Sequence, residues 1–599
     1  LVSESAYDHR YNLPSGTQKD FNGNSINITL RGDRRDVQAT QYSKAGTHSI
    51  TRNDFGQSVF ETSVEGVTSG IHYDTGTGFP TSMTMGSLTT GFGYDGSIAA
   101  KLGVPSTITP PRGAPISQEH DARLQRTLLT RGGRDERFGY DENGNLIFAS
   151  RTLGDGALFT ETREYSQINF LRKVTLRGVE TLGGGTDLIT RFTPDEVFRI
   201  KTMTLPGGEI RSFDYDHLGQ ITKLDVGSYS EEYGRDLHGN LTSLKKGGDV
   251  VQEWEYDGHD RPVTLRHKTG QGGDEVTTLT YFGTGETRTR TVSGPVGGVV
   301  SETVVADVDE LGRPLSVEAK GNQANALIIT DYTANGGRTV SATGPVDTFT
   351  SNHDAAGRLV TQSSSLRSVV LTPDDNGNVT RVESTEDGTT YRVDMAYNAL
   401  DHLTSTSDPI GTIFESALLR HDGLPLTITD GRGNSITKSY SRLGEVLQID
   451  KPEQLRFAYT FTANRQPAAV RDRGSAGNVT TYEDGTLRPT STTWRDGSTT
   501  SFNAPDGRNL PTSISLPGGS MTANYDLQGR ALSLITTFSG GGYRTQNAQY
   551  DALNRLRAVN YGSSGQHSLS HTYDKLGPLT GSTYTEPGGP FTIGSSIRE

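Results

Sequence analysis

The sequence predicts an all-β protein, a long spiralling antiparallel sheet of repeated β-hairpins that forms a hollow barrel or cocoon. Three observations lead to this prediction. A six-residue turn pattern returns throughout the chain. Glycine makes up 73 of 599 residues, about 12% against a usual ~7%. Between the turns, apolar and polar residues alternate, and there is almost no helical periodicity.

The turn pattern is clearest in the run Tyr525-Asp526-Leu527-Gln528-Gly529-Arg530. Asp suits the first position of a type I turn, where its carboxylate accepts backbone N–H groups two or three residues on. Gly three residues later suits a position that must adopt a positive φ. Tyr directly before the turn is a residue typical of strand ends, and its ring can pack over the pair of facing residues on the two strands. Each copy is therefore predicted to be the tip of a hairpin.

The best copies define the residues that we expect to form structural repeat turns. In one copy Asn554 replaces the glycine, and Asn tolerates a positive φ better than most residues. The predicted turn residues are Tyr140, Asp141, Gly144, Tyr215, Asp216, Gly219, Tyr525, Asp526, Gly529, Tyr550, Asp551, Tyr573, Asp574 and Gly577.

The spacing of the copies divides the chain into two parts. Residues 1–135 form an irregular N-terminal part of the repeat array, and Pro105, Pro110, Pro111 and Pro115 make a stretch expected to be a surface loop or seam, neither central strand nor helix. Residues 136–599 form a regular array with a period of roughly 18–27 residues, truncated within a repeat. Its expected tips include Tyr140, Tyr165, Phe192, Tyr215, Tyr233, Tyr256, Tyr281, Tyr397, His421, Tyr440, Tyr482, Phe502, Tyr525, Tyr550 and Tyr573.

One repeat unit contains two short strands and two turns. A second turn, Leu516-Pro517-Gly518-Gly519, precedes Tyr525, and Met521, Ala523 and Tyr525 alternate with polar residues on the return. An isolated hairpin is marginal in water, so neighbouring hairpins must pair edge to edge. Strand twist curls so long a sheet. Hydrophobic residues are only 32% of the chain, which favours a thin wall enclosing space.

Composition excludes several classes of function. The net charge is −13 and is spread along the chain, which disfavours nucleic acid as a partner. No cysteine is present, so the sequence predicts neither disulfides nor thiolate metal sites. No apolar run approaches the ~20 residues of a membrane span. The chain begins at Leu1 without an initiator Met, and we expect it to be a segment of a longer protein.

The recurring motif resembles that of the YD-repeat or Rhs-repeat family. It consists of Tyr-Asp, two variable residues, Gly and then Arg or Asn, repeated at this spacing. That family includes bacterial Rhs proteins, shell components of insecticidal Tc toxin complexes, and teneurin-type shells. The resemblance implies a spiralling hollow shell, which in bacterial members often surrounds a toxic C-terminal segment. Bacterial shells usually end in Asp-Pro-x-Gly-Leu-x-Gly-Gly. Here only Asp408-Pro409-Ile410-Gly411 is similar, and its place in the period predicts a repeat turn.

Other candidate sites are better explained as turns. Oxygen-rich runs at Asp141 and Asp374 suggest Ca²⁺, but neither has EF-hand spacing throughout. His-Asp pairs at His120, His353 and His421 resemble half a catalytic dyad, yet no nucleophile motif accompanies them. The sequence thus predicts no catalytic residue, no cofactor, no metal site and no enzymatic activity.

Two functional hypotheses remain open. In the first, the chain is a structural shell that encloses and protects a polypeptide, such as a toxin or effector carried by further segments of the same protein. In the second, it is a surface or adhesion module that binds proteins or glycans, as in teneurins. Both place the protein outside the cell, secreted or at the cell surface.

Overall fold

A computed structural model describes residues 6–8, 13–19, 25–30, 37–42, 46–63, 67–86, 88–154, 157–181, 184–270, 273–294, 298–322, 325–332, 338–344, 348–354, 357–472, 477–483, 487–562, 567–586 and 589–593. These residues form 53 strands in one sheet. They include one four-residue helix, α1 (Ile98–Lys101), and one 3-10 segment, Pro452–Gln454. The all-β prediction is confirmed. No helix in the described part of the chain is long and apolar enough to cross a membrane.

The strands within the first 200 residues are short, and most span five to seven residues. They are β1 Ala6–Asp8, β2 Leu13–Lys19, β3 Ser25–Leu30, β4 Val37–Tyr42, β5 Gly46–Arg52, β6 Ser58–Thr62, β7 Thr68–Tyr73, β8 Pro80–Met85, β9 Leu88–Gly93, β10 Thr107–Thr109, β11 Ile116–His120, β12 Arg126–Arg131, β13 Arg134–Tyr140, β14 Leu146–Thr152, β15 Leu158–Tyr165, β16 Leu171–Thr181 and β17 Gly184–Pro194.

The middle of the chain continues the same pattern. Its strands are β18 Ile200–Thr204, β19 Ile210–Tyr215, β20 Ile221–Val226, β21 Tyr229–Arg235, β22 Leu241–Lys246, β23 Asp249–Tyr256, β24 Pro262–Lys268, β25 Asp274–Tyr281, β26 Thr287–Gly294, β27 Gly298–Val308, β28 Pro314–Ala319, β29 Ala326–Tyr332, β30 Arg338–Thr343, β31 Thr348–His353, β32 Leu359–Ser364, β33 Arg367–Pro373, β34 Val379–Glu386 and β35 Thr389–Tyr397.

The last third completes the sheet. Its strands are β36 Leu403–Asp408, β37 Gly411–Leu419, β38 Pro425–Asp430, β39 Ser435–Tyr440, β40 Val446–Lys451, β41 Leu455–Phe461, β42 Pro467–Asp472, β43 Gly477–Tyr482, β44 Pro489–Thr493, β45 Thr499–Pro505, β46 Pro511–Leu516, β47 Gly519–Tyr525, β48 Ala531–Phe538, β49 Tyr543–Tyr550, β50 Leu556–Tyr561, β51 His567–Tyr573, β52 Leu579–Glu586 and β53 Gly589–Ile593.

Each strand from β2 to β52 pairs antiparallel with the strand before it and the strand after it in sequence, and β1 and β53 pair with β2 and β52. The pairing β46–β47, for example, closes through a two-residue loop, with Leu516 opposite Gly519. The pairing crosses residue 135 without a break, because β12 is bonded to β13 and β13 to β14. The described strands are therefore one continuous meander of hairpins.

The hairpin turns lie in two rows, one at each end of the strands, and we call these two rows the edges of the sheet. From β5 onward, turns that follow odd-numbered strands lie on one edge, which we call the motif edge because the Tyr-Asp pattern lies there. Turns that follow even-numbered strands lie on the opposite edge, and several of those that the structure describes are short loops with glycine, such as Gly132-Gly133 and Gly247-Gly248.

The sheet winds into a spiral, so that the opposite edge of one coil contacts the motif edge of the next coil. We call this contact the seam. Hydrogen bonds across it join residues 251 to 285 positions apart. Arg112 after β10 pairs with Asp374 after β33, and Asn322 after β28 pairs with Asp574 after β51. One coil therefore takes 23 strands. We call the 23 strands β10–β32 the first coil, and the strands from β33 onward, which lie against it, the second coil.

The wall of the spiral is a single layer of sheet. A solvent-accessible surface of 32746 Å² compares with about 20,000 Å² for a compact globular protein of this mass. The excess is expected where no second layer covers either face of a sheet. Twenty-three strands at ~4.8 Å give a circumference of about 110 Å and a diameter of about 35 Å. Closed sheets of 16–18 strands already enclose a water-filled channel, so this spiral is a hollow shell.

The proline-rich stretch differs in part from its prediction. Thr107–Thr109 is a central strand, since β10 pairs with both β9 and β11. The prolines flank this strand at Pro105 and Pro110 without interrupting it, so all three of its N–H groups remain available. The short helix α1 immediately precedes the stretch. Arg112 and Ala114, beyond the strand, lie at the seam.

Candidate functional site

The motif turn is held by one aspartate. In the copy that begins at Tyr525, the backbone N–H of Asp526 donates to the Arg530 carbonyl at 3.0 Å, and the Gly529 N–H donates to the Asp526 carbonyl at 3.0 Å. Asp526 Oδ1 accepts from the backbone N–H groups of Gln528 (3.0 Å) and Arg530 (2.9 Å). Gly529 has a φ of +84°, where a Cβ is disfavoured.

The Asp526 carboxylate therefore accepts hydrogen bonds from the backbone N–H groups two and four positions on. The sequence predicts donors two or three positions on. The reason lies in the backbone of the turn. The N–H three positions on, that of Gly529, already donates to the Asp526 carbonyl.

The other predicted turn residues occupy equivalent places on the motif edge. The positive-φ residues are Gly144 (+89°), Gly219 (+85°), Gly577 (+117°) and Asn554 (+60°). Oδ1 of Asp141, Asp216 and Asp551 accepts the same two N–H groups, and that of Asp574 accepts from Leu576. Each tyrosine hydroxyl donates to a carbonyl at the start of the preceding even-numbered strand: Tyr140 to Arg126, Tyr215 to Ile200, Tyr525 to Pro511, Tyr550 to Ala531 and Tyr573 to Leu556.

Sequence reasoning missed the role of arginine at the sixth position of the motif. Arg530 Nε donates to Asp526 Oδ2 at 2.5 Å, and its Nη1 donates to the carbonyl of Asp551 in the next tip at 3.2 Å. Its guanidinium lies 5.4 Å from the centroid of the Tyr550 ring. Arg555 makes the same contacts with Asp551 and Tyr573. Arginine at this position thus ties its own tip to the next tip along the motif edge. The signal was its recurrence after the glycine.

The electrostatics of these tips move pKa values away from neutrality. The Arg261 hydrogen bond lowers the pKa of Asp257 to about 2. Backbone N–H donation from Gln220 lowers the pKa of Asp216, whereas burial raises the pKa of Tyr215. General acid–base catalysis needs groups whose pKa lies near the working pH. These tips hold carboxylates charged and phenols neutral, which suits a structural role.

Four tips lie in a different register from the one predicted. Tip turns begin at Asp195, Asp236 and Asp506 rather than directly after Phe192, Tyr233 and Phe502. Pro194, Arg235 and Pro505 occupy the strand-end position that we assigned to an aromatic ring. In these three tips the aspartate, and not the aromatic residue, is the first residue of the turn.

The fourth shifted tip contains His421, which lies inside the turn and not at the strand end. Arg420 takes the place of the aspartate there and is only 1% exposed. Its guanidinium donates to both oxygens of Asp422, at 3.1 and 2.6 Å, and to the Ser441 carbonyl at 2.8 Å. Burial by itself raises the pKa of Asp422, but these bonds and the charge of Arg420 outweigh burial and lower it.

The remaining candidate sites are turns. Asp121 and Asp354, which follow His120 and His353, accept backbone N–H groups of their own tips. Asp374 does the same, and its Oδ2 accepts from Asn378 at 3.1 Å. Asp408 caps the two-residue β36–β37 loop, accepting from Ile410 and Gly411, so the predicted repeat turn is confirmed there.

Hydrogen bonds cross the seam in both directions: the Gly207 N–H on the opposite edge, for example, donates to Asn464 Oδ1 on the motif edge at 2.8 Å, and other donors lie on the motif edge. The backbone N–H of Arg442 donates to Glu180 Oε2 at 2.9 Å, and Arg465 Nη1 donates to the Glu180 carbonyl at 2.6 Å. Gln528 Nε2 donates to the carbonyls of Val251 (3.0 Å) and Lys268 (2.8 Å).

Close approach at the seam depends on glycines of the first coil. A Cβ added to them would lie 2.8 Å from Leu400 Cδ2 at Gly132, 2.1 Å from Asn464 Nδ2 at Gly207 and 1.7 Å from the Gly507 carbonyl oxygen at Gly247. Leu527 packs in the same way on Gly270. The tips of the second coil thus fill niches that glycine leaves open.

Comparisons with known proteins give structural neighbours of low similarity. No protein-family model and no curated protein sequence matches the chain. The crystal structure of TcdB2-TccC3 without its hypervariable C-terminal region is 12% identical, with a TM-score of 0.43 over 97% of this chain and 41% of that one. TcdB2-TccC3-Cdc42 is 12% identical, with a TM-score of 0.35 over 98% and 36%. The Tc holotoxin pore of Photorhabdus luminescens, with a TccC3 mutation, is 12% identical, with a TM-score of 0.35 over 97% and 35%. The chain therefore spans well under half the length of these solved chains.

Proposed function

We propose that this chain is a non-enzymatic wall that encloses and protects a polypeptide. The observation that carries the proposal is the single-layer spiral, in which 23 strands complete a coil and adjacent coils are sealed along the seam. A wall of this kind separates an inner space from the outside. A flat or rod-like repeat sheet does not.

The size of the enclosed space supports a polypeptide as its content. A coil about 35 Å across between backbones leaves about 25 Å between facing side chains, if each face takes about 5 Å. Strands of six to eight residues make each coil roughly 20–26 Å tall. Two stacked coils thus surround a volume suited to an unfolded or partly folded chain rather than to a small molecule.

The surface chemistry of the wall suits loose containment. In β47, Met521, Ala523 and Tyr525 are more buried than Ser520, Thr522 and Asn524, which lie on the other face. Threonine pairs cross neighbouring strands on exposed faces, as in Thr280 with Thr289 at 2.6 Å. The more exposed face of these strands is polar, so a non-native chain that touches this face would be held without strong adhesion.

The proposal includes the partner and the place of action. The enclosed polypeptide would be a toxin or effector segment, and the shell would act outside the cell that makes it, secreted or at the cell surface. The motif-edge carboxylates and phenols have structural partners and pKa values far from neutrality. That arrangement supports a wall without chemistry of its own.

Protease protection of a tethered polypeptide tests the proposal. An unfolded reporter of roughly 80 residues, fused after Glu599, should be cleaved at least tenfold more slowly than the free reporter. The control is the same fusion with Arg465→Glu, which replaces a donor at the seam by a repelling charge and should restore cleavage. Cleavage of both fusions at the rate of the free reporter would refute enclosure.

A further inference from the structure

His402 is a half-buried histidine at the seam. It is the last residue of the β35–β36 tip, where its N–H donates to Oδ1 of the cap residue Asn398 at 3.0 Å. Its ring packs on the next tip of the second coil, since a Cβ on Gly423 would lie 3.0 Å from His402 Cδ2. The Nδ1 atom is buried and has no hydrogen-bond partner among the described residues. A charge on this ring therefore has to be accommodated by the groups around it.

Charged groups from both coils act on His402. Arg131 and Arg134 come from the β12–β13 turn of the first coil, Asp401 from the same tip as His402, and Asp422 from the next tip. Each of these four groups already belongs to an ion pair. The pairs are Arg131 with Asp401, Arg134 with Glu136, and Arg420 with Asp422. Three arginines thus balance three carboxylates while His402 is neutral, and a proton on the imidazole would add a positive charge without a partner.

The two carboxylates that act on His402 accept hydrogen bonds at both of their oxygens. Asp401 Oδ2 accepts from Arg131 across the seam at 3.0 Å, and its Oδ1 accepts from Asn376 and Asn378. Both oxygens of Asp422 accept from the Arg420 guanidinium. An imidazolium in the closed seam would therefore have to displace donors that hold the tips in place.

The environment of the closed seam favours the neutral imidazole. Burial lowers the pKa of His402 from 6.5, and the charges of Arg134 and Arg131 lower it further, against the opposite effect of Asp422 and Asp401. When the coils part, the ring enters water and its pKa returns to its ordinary value. The seam therefore keeps its full stability above about pH 6.5, and it loses stability as the pH falls from there through the lower pKa of the closed seam.

We propose that this part of the seam is an acid-sensitive contact, in which protonation of His402 separates the β12–β13 turn from the β35–β36 tip. Separation lets water solvate the imidazolium at Nδ1 and moves it away from Arg131 and Arg134. In a shell that encloses a polypeptide, the wall would part here at acidic pH while the rest of the seam keeps its contacts.

Two backbone hydrogen bonds across the seam report on this contact. The Ala114 N–H donates to the Ala399 carbonyl at 2.8 Å, and the His421 N–H donates to the Leu153 carbonyl at 2.9 Å. Both amides should exchange with solvent when the coils part locally. We expect their protection factors, which correct for the intrinsic pH dependence of exchange, to fall at least about fivefold between about pH 7.5 and about pH 5, the lower end of typical coupling.

Replacing His402 by a neutral residue should remove this pH dependence. In His402→Asn the new residue is one that other tips have four positions after the cap, as in Asn145 and Asn378. His402→Gln copies Gln220 of another tip and provides a second variant if the first does not fold. We expect both variants to keep the protection of the wild type at neutral pH and to retain it in acid.

Two controls separate this contact from general acid unfolding. The Gly207 N–H donates to Asn464 Oδ1 across a part of the seam where the loop 205–209 and the tip 462–466 contain no histidine, so its protection should not fall. His238→Gln removes an exposed histidine that pairs with Asp260 on the motif edge of the first coil, and it should leave the pH dependence unchanged.

Three results would overturn the proposal. They are equal protection of Ala114 and His421 at both pH values in the wild type, the same fall in His402→Asn or His402→Gln, and an equal fall at Gly207. Since the exchange is measured on the chain without an enclosed polypeptide, none of these results bears on enclosure.

Discussion

Replacing Gly247 by alanine should open the seam, whereas the same change at its neighbour should not. Gly247 and Gly248 both have positive φ, +59° and +93°, so alanine costs about 1–2 kcal/mol at either position. At Gly247 the new Cβ would also lie 1.7 Å from the Gly507 carbonyl oxygen, but at Gly248 it would meet nothing within 4 Å. Overpacking of this kind costs about 1–3 kcal/mol more. The difference between the two variants therefore isolates a contact between residues 260 positions apart.

Hydrogen exchange at the β45–β46 tip measures that difference locally. The amide of Asp506 donates to the Leu510 carbonyl, and that of Asn509 donates to the Asp506 carbonyl. We expect both amides to exchange roughly 5- to 150-fold faster in Gly247→Ala than in Gly248→Ala, the factor that corresponds to 1–3 kcal/mol. Equal exchange in the two variants would show that the coils do not touch there, and the inferred spiral would be wrong.

Three further predictions concern single residues of the motif edge. Gly219→Val should lower stability by about 1–3 kcal/mol, because valine must adopt the +85° φ of this turn; an unchanged melting temperature would contradict this assignment. Asp257→Asn should be less stable than the wild type above pH 4, and the gap should close as the pH falls towards 2. The reason is that Arg261 lowers the pKa of Asp257 from 3.8 to about 2. The stabilisation by charged Asp257 is therefore complete above pH 3.8, its unfolded pKa, and is lost as the pH falls through its folded pKa of about 2. A stability difference between variant and wild type that does not change with pH in urea titrations would refute this. Arg420→Ala should lower stability by about 3–5 kcal/mol, because it leaves Asp422 without its partner in a buried ion pair. The control Arg432→Ala, at an exposed arginine, should change stability by less than about 0.5 kcal/mol. Equal melting curves for the two variants would count against the buried pair.

The repeat could be recognised from sequence because one local pattern encodes each hairpin. Asp526 and Gly529 specify a turn within five residues, and neighbouring copies then require a continuous sheet. Where the aromatic residue does not precede the cap, as at Phe192, the pattern placed the tip wrongly. The Asp195 cap sets that turn, and a register read from aspartates would have found it.

The number of strands in one coil and the contacts between coils could not be predicted from sequence. The number of strands per coil depends on how twist accumulates and on contacts such as Arg465 with Glu180, 285 positions away. No local pattern marks either residue as a seam contact. Arg420 was missed for a related reason, because a buried arginine in the place of an aspartate departs from the motif.

Electron cryomicroscopy of the isolated chain tests the central claim most directly. A single-layer spiral predicts a wall with about 23 strands per coil, about 35 Å across, around a centre without ordered protein density. An interior filled with packed side chains, or a rod-like sheet open to solvent along its length, would contradict it.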